Sequence, residues 1–240
     1  VHFYQLGGNM KKYSYSIIFT ILISSFCLTS LDVQAQGITK FERWMAVGEM
    51  HNWYSSIGCE REEDGPEKQQ QAGWRWPAPY LNQDMQAAKG MWIGARNYTE
   101  PEAGTTFDYK VVHCGPRPQT GGIDKEFFPM RFDHIAKFNP TPVLVDGEVS
   151  FSVQNTVEDV DENLTYDQVL YNPVNTQMGV TMKRKIFQFS REYYNNFVVI
   201  EHTFINTGNI DYDADIERAS GDLEDVYFAE ITSRMETVSL

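Results

Sequence analysis

Positive charge and cysteine are scarce in this chain, and its apolar runs are short. Lys and Arg number 20 against 33 Asp and Glu, for a formal net charge of -13 over 240 residues. Neutralising a phosphate backbone takes clustered cations, so this balance excludes non-specific nucleic-acid binding. The one basic cluster, Lys183-Arg184-Lys185, sits inside a strand-like pattern and reads as a solvated face. Of the three cysteines, Cys27, Cys59 and Cys114, none belongs to a C-x-x-C, and no H-x-x-x-H is present, so the paired spacing of a zinc site is missing. Also lacking are a G-x-S-x-G elbow, an H-E-x-x-H helix, a Walker phosphate loop and a G-x-G-x-x-G turn. The common hydrolase, zinc-protease and nucleotide-binding readings therefore lose their physical parts, although an enzyme of another kind is not excluded. The apolar stretch from Ile17 to Leu31 is broken by Ser24, Ser25, Thr29 and Ser30 and is too short for a membrane span.

That stretch has another use. Met10-Lys11-Lys12, the apolar run, and Val33-Gln34-Ala35 follow the order of a secretory signal peptide. The reading is residues 1–9 as upstream translation, 10–35 as the signal peptide, and a mature chain from Gln36 with no membrane span after cleavage. Phe26 before Cys27 is a poor lipobox residue, which argues against a lipoprotein. The expected location is extracellular or at the cell surface, with the periplasm as the other exported option. The mature chain carries a charge of about -14 on roughly 205 residues, enough for one large domain or two small ones. In an oxidising compartment Cys59 and Cys114 are expected to form a disulfide, contributing on the order of 4 kcal/mol by chain entropy. Two buried thiols, or a metal site joined by His113 and His51, are the competing readings.

Composition changes near residue 140. All five tryptophans, Trp44, Trp53, Trp74, Trp76 and Trp92, precede it, with the Gly- and Pro-rich connection from Gly115 to Gly122. This gives a Trp-rich, irregular and β region over 36–140, and a β-sandwich region over 141–240 that is cut at its far end. The fold class is mainly β: an antiparallel β-sandwich beside an irregular Trp-rich part, with one short helix over Asn82 to Lys89, where Asn82 caps and Gly90 terminates. Glu60 to Gln71 reads as an exposed loop, and Met91 to Ala95 and Phe107 to Cys114 as strands. Asp146-Gly147 between two valine-rich runs marks a hairpin. Val180 to Phe189 and Phe197 to Ile205 form another, and their period-two alternation predicts Lys185 opposite Glu201, Ile186 opposite Ile200 and Met182 opposite Phe204. The same register sets Arg184 beside His202 on the apolar side, which requires solvent at that end or an acidic partner. Asp225 to Ile231 reads as a further strand.

Arg43-Trp44-Met45, His51-Asn52-Trp53-Tyr54-Ser55-Ser56, Gln83 to Gly94 and Phe204 to Asn209 together resemble the N-terminal regions of a group of large, uncharacterised exported bacterial proteins. The resemblance covers most of residues 41 to 230. It implies a multidomain surface or secreted protein, some members having fibronectin type III-like domains and a type IX secretion sorting tail. On this reading the chain is the amino-terminal piece of a longer polypeptide. The resemblance carries no catalytic residues.

Three groups are candidates for chemistry. Trp74, Trp76 and Tyr80 lie on a loop-like segment suited to stacking on sugar rings; the alternative is that the tryptophans form an aromatic core. Asp211, Asp213 and Asp215 alternate as calcium-binding carboxylates do, but Ile216 stands where an EF-hand-like loop needs glycine and Asp222 where it needs glutamate. Asp159-Val160-Asp161-Glu162 reads as a solvated loop. His51, His113, His134 and His202 are scattered, and His202, alone between Ile200 and Phe204, reads as a hydrogen-bonded core residue rather than a ligand or base. The expected function is a non-catalytic structural, adhesion or ligand-binding region with a glycan or cell-surface partner. The alternative is an accessory or catalytic part of a secreted polysaccharide-degrading enzyme. An export-linked assembly factor, recognised by an exposed apolar patch or open sheet edge, is a third reading.

Overall fold

The computed structural model describes residues 42–61, 74–78, 88–115, 126–139, 144–145, 148–149, 157–218 and 223–233. The signal peptide, Tyr80, most of the Gly115–Gly122 connection and the Asp146-Gly147 turn lie outside them.

The molecule is mainly β, in several antiparallel sheets. β1 (Glu42–Met45) and β2 (Asn52–Ser55) form a hairpin with Trp44 opposite Trp53. β3 (Glu60–Arg61) and β5 (Thr106–His113) both pair with the long β4 (Ala88–Thr99). A larger sheet contains β6 (Phe127–Pro129), β7 (Asp133–Ala136), β10 (Asp159–Val160), β11 (Gln168–Thr176), β12 (Val180–Gln188) and β13 (Val199–Asn206). β8 (Leu144–Val145) and β9 (Glu148–Val149) make the small hairpin flanking Asp146-Gly147. β14 (Glu224–Ser233) returns to pair with β4. Strand pairing thus crosses the compositional boundary at residue 140 in both directions, β7 to β11 and β14 to β4.

The β12–β13 register is the expected one: Lys185 faces Glu201, Ile186 faces Ile200, Met182 faces Phe204 and Arg184 faces His202. Alternation fixes it, because a slip of one residue would turn Met182, Arg184 and Ile186 out of the interior. Two expectations are corrected. Ala88 and Lys89, the end of the expected helix, begin β4, and no helix occurs among the described residues. Glu60 and Arg61, read as the start of an exposed loop, form β3, where pairing with Lys89 and Ala88 satisfies their backbone and buries Glu60.

One face of the six-stranded sheet carries two apolar clusters. Val174, Val180 and Met182 pack with Met91, Ile93, Ala95 and Val112 of the β4 sheet and with Ile57. Leu170 and Ile186 pack with Met45 and Tyr54 of the β1–β2 hairpin and with Phe132. Pro173 sits in the middle of β11 where its neighbour strand is interrupted between β6 and β7, a place that tolerates a missing N–H.

Candidate functional site

Polar side chains on the inner face of β11 and β12 hold the backbone of the segment from Met45 to Cys59. Arg184, 1% exposed, donates to Ser55 O (2.7 Å), Gly58 O (2.9 Å), Cys59 O (3.4 Å) and Asn172 Oδ1 (2.9 Å). Asn172 donates in turn to Ser56 O at 2.7 Å, and Gln188 donates to Met50 O at 2.9 Å while accepting from the Val47 amide at 3.1 Å. Tyr54 lies under the guanidinium, 5.9 Å from its ring centre. The partner required for a buried arginine is therefore mainly a set of backbone carbonyls that curl around it. Sequence reasoning missed them, since carbonyls leave no mark in composition.

Above Arg184 the two sheets meet in a charged group. Lys89 lies 3.5 Å from Glu60 and 3.2 Å from Glu230, and His202 lies 3.8 Å from Glu230. Glu60 also accepts from Asn52 Nδ2 at 2.8 Å. Gly58, Gly90, Met91, Arg184 and these four groups line a cavity of about 10 Å³. Burial first, then the positive charge of Arg184, pulls the His202 imidazole down to about 4, so it is neutral at physiological pH. His51 is likewise brought to about 4 by burial, against the opposing pull of its bond to Gly48 O (3.1 Å). His134 is buried against Gln168 Oε1 at 3.1 Å, a satisfied core histidine.

Cys59 and Cys114 end up as neighbours, both buried, at the ends of β3 and β5 that flank β4. They are thiols with no disulfide between them, which corrects the expected pairing. Burial pushes the Cys114 thiol up, the adjacent Cys59 adds to that, and Cys114 Sγ is directed at Met91 O (3.8 Å).

The acidic loop after β13 is the second locus. Carboxylate oxygens of Asp211, Asp213 and Glu217 all lie within 4.8 Å of one another and are half-buried. Asp215 is exposed and outside that group; Glu217 takes its place, two residues on. Asn209 Oδ1 accepts from the Asp211 amide (3.1 Å), Asp211 Oδ1 from the Asp213 amide (2.8 Å) and Asp213 Oδ1 from the Asp215 amide (2.8 Å). Each bond curls the chain one step. Asn175 of β11 anchors the start by donating to Asn209 Oδ1 and Asp211 O, both at 2.9 Å. Three oxygens at that spacing suit a hard divalent ion with ligands near 2.4 Å.

The tryptophans divide. Trp44 and Trp53 are buried, with ring centres 5.1 Å apart; Trp74 is half-buried; Trp76 and Trp92 are 40% and 39% exposed. Trp92 belongs to the outer face of the β5–β4–β14 sheet. There alternation lines up Trp92, Gly94 and Arg96 of β4 with His113, Val111 and Tyr109 of β5 and with Ala229 and Tyr227 of β14. Tyr109 is 70% exposed, Tyr227 68% and Val111 48%. Arg96 on this face is paired to Asp225 at 3.1 Å and lies over the Tyr109 ring at 5.8 Å.

No family model, no curated protein and no solved structure matches this chain.

Proposed function

We propose that this chain is a non-catalytic, ligand-binding β-sandwich region of an exported protein, and that its ligand is a neutral carbohydrate laid on the outer face of the β5–β4–β14 sheet. The observation that supports it most is the row of Trp92, Tyr109 and Tyr227 standing exposed on that face, with glycine at its centre. Aromatic faces bury the C–H faces of sugar rings, and a Cβ-free position lets a ring approach the sheet. The charges beside the row are internally paired, Arg96 with Asp225, and the chain carries -13 overall, so an acidic polysaccharide is repelled and a neutral one is not. Trp76, also exposed, is a second stacking point on the segment first expected to carry it. Interior polar groups such as Arg184, Asn172 and Gln188 engage the protein's own backbone, the use a structural region makes of them. A glycan array probed with the exported chain tests this: neutral glycans are expected among the binders, and binding confined to acidic glycans, or none, contradicts it.

The Asp211, Asp213 and Glu217 group would hold calcium, stiffening the loop on Asn175. Exported sites of this kind work at about 10⁻⁴ to 10⁻³ M, so tenfold excess calcium stabilises the fold by about 1.4 kcal/mol. Thermal unfolding with calcium, magnesium and a chelator measures it. A calcium-specific rise that Asp213→Asn abolishes is expected; an unchanged midpoint removes the ion from the account.

A further inference from the structure

The cavity between the two sheets presents chemistry that neither the carbohydrate face nor the acidic loop uses. Four of its lining side chains bear formal charges, Arg184 and Lys89 positive and Glu60 and Glu230 negative, and these cancel. His202, the fifth titratable group there, is neutral. An ion of either sign therefore gains nothing net by entering, and a small neutral dipole does. The volume, about 10 Å³, is at the lower limit for one water molecule and far below any organic ligand.

Arg184 supplies the need for such a molecule. Its two terminal nitrogens donate to Ser55, Gly58, Cys59 and Asn172, but its Nε–H is buried with no acceptor among the described residues. A buried donor left without an acceptor costs about 1–3 kcal/mol, so a residue spending its other donors this well is a poor candidate for wasting one. Around the same cavity stand oxygens and a ring nitrogen able to take the water's own protons, from Glu60, Glu230 and His202. Gly58 and Gly90 line the cavity with backbone alone, and each is kept as glycine by neighbours outside the cavity. A Cβ on Gly58 would come within 2.5 Å of Met182 Cε, and one on Gly90 within 2.0 Å of Cys114 O.

We infer that this cavity is a binding site for a single water molecule, which accepts from Arg184 Nε and donates into the Glu60, Glu230 and His202 group, joining the two sheets through a hydrogen-bonded bridge. Glu230, one of the lining residues, is 42% exposed, so this group borders solvent on its side.

The test is a crystal structure at atomic resolution grown from bromide-containing buffer, with oxygen-17 relaxation dispersion in solution. One ordered water within hydrogen-bond distance of Arg184 Nε, without anomalous signal, is expected. Bromide density there, or an Nε bonded directly to a protein acceptor, overturns the inference. In solution Arg184→Lys, which keeps the charge and removes the Nε donor, is expected to lose one long-lived water relative to the wild type; an unchanged count overturns it. Should that variant fail to fold, the crystal structure of the wild type decides alone.

Discussion

The guanidinium of Arg184 gathers three inward-pointing carbonyls of the turn from Ser55 to Cys59, adding side-chain donors to the turn's own backbone bonds from Gly58 N to Ser55 O and from Ser55 N to Cys59 O. Arg184→Leu removes those donors together and is expected to destabilise the protein by about 3–5 kcal/mol in chemical denaturation. Lys185, next along β12, faces outward 3.8 Å from Glu201, and Lys185→Ala is expected to cost less than about 1 kcal/mol by the same measurement. Two histidines contribute to the pH response. His51 and His202 titrate at about 4 in the folded protein and near 6.5 when unfolded. Between those values the unfolded chain holds protons that the folded chain refuses, so stability is full above pH 6.5 and falls as pH drops toward 4. After allowance for solvent screening the loss is on the order of 1 kcal/mol per histidine. Unfolding midpoints from pH 7 to 4 are expected to show this slope, and His202→Asn to flatten it; a flat wild-type profile would contradict the burial of both rings.

Strands with strict alternation were legible, and strands shaped by their partners were not. β12 and β13 could be registered residue by residue because Met182, Ile186, Ile200 and Phe204 alternate with Lys185 and Glu201. β11 escaped notice although it is the middle of the same sheet: Asn172, Pro173 and Asn175 are poor strand formers, and only the structure shows Asn172 and Asn175 serving as hydrogen-bond anchors. Of the metal group, Asp211 and Asp213 were readable from spacing, whereas Glu217 enters because the loop curls back to bring it to them. The helix expectation failed where capping residues were weighed without the pairing of β4 to β3 and β14. Glycine positions in β4 offer a sharp contrast. Gly90→Ala places a methyl 2.0 Å from Cys114 O, while Gly94→Ala meets nothing closer than 3.6 Å. The first is expected to cost about 1–3 kcal/mol and the second little, read as the difference in thermal midpoint.

The described residues form a set of sheets tied together by interleaved strands. Because β14 closes onto β4 and β7 onto β11, the exposed face of the β5–β4–β14 sheet is backed by the apolar cluster of Met91, Ile93 and Val112. A rigid backing holds aromatic rings in place before any ligand arrives, which lowers the ordering cost of binding. Composition marks an acidic, Trp-rich β protein with rings suited to sugar stacking, but not the row at Trp92, because its partners Tyr109 and Tyr227 are remote in sequence and meet it only through strand pairing. The direct measurement is isothermal titration of the wild type and a Trp92→Ala, Tyr109→Ala, Tyr227→Ala variant with a soluble neutral oligosaccharide, circular dichroism confirming the fold of both. Loss of about 1 kcal/mol per ring, roughly a hundredfold or more in affinity for the three together, is the expected result. Equal affinity of the two proteins, or no binding by the wild type, would contradict the account.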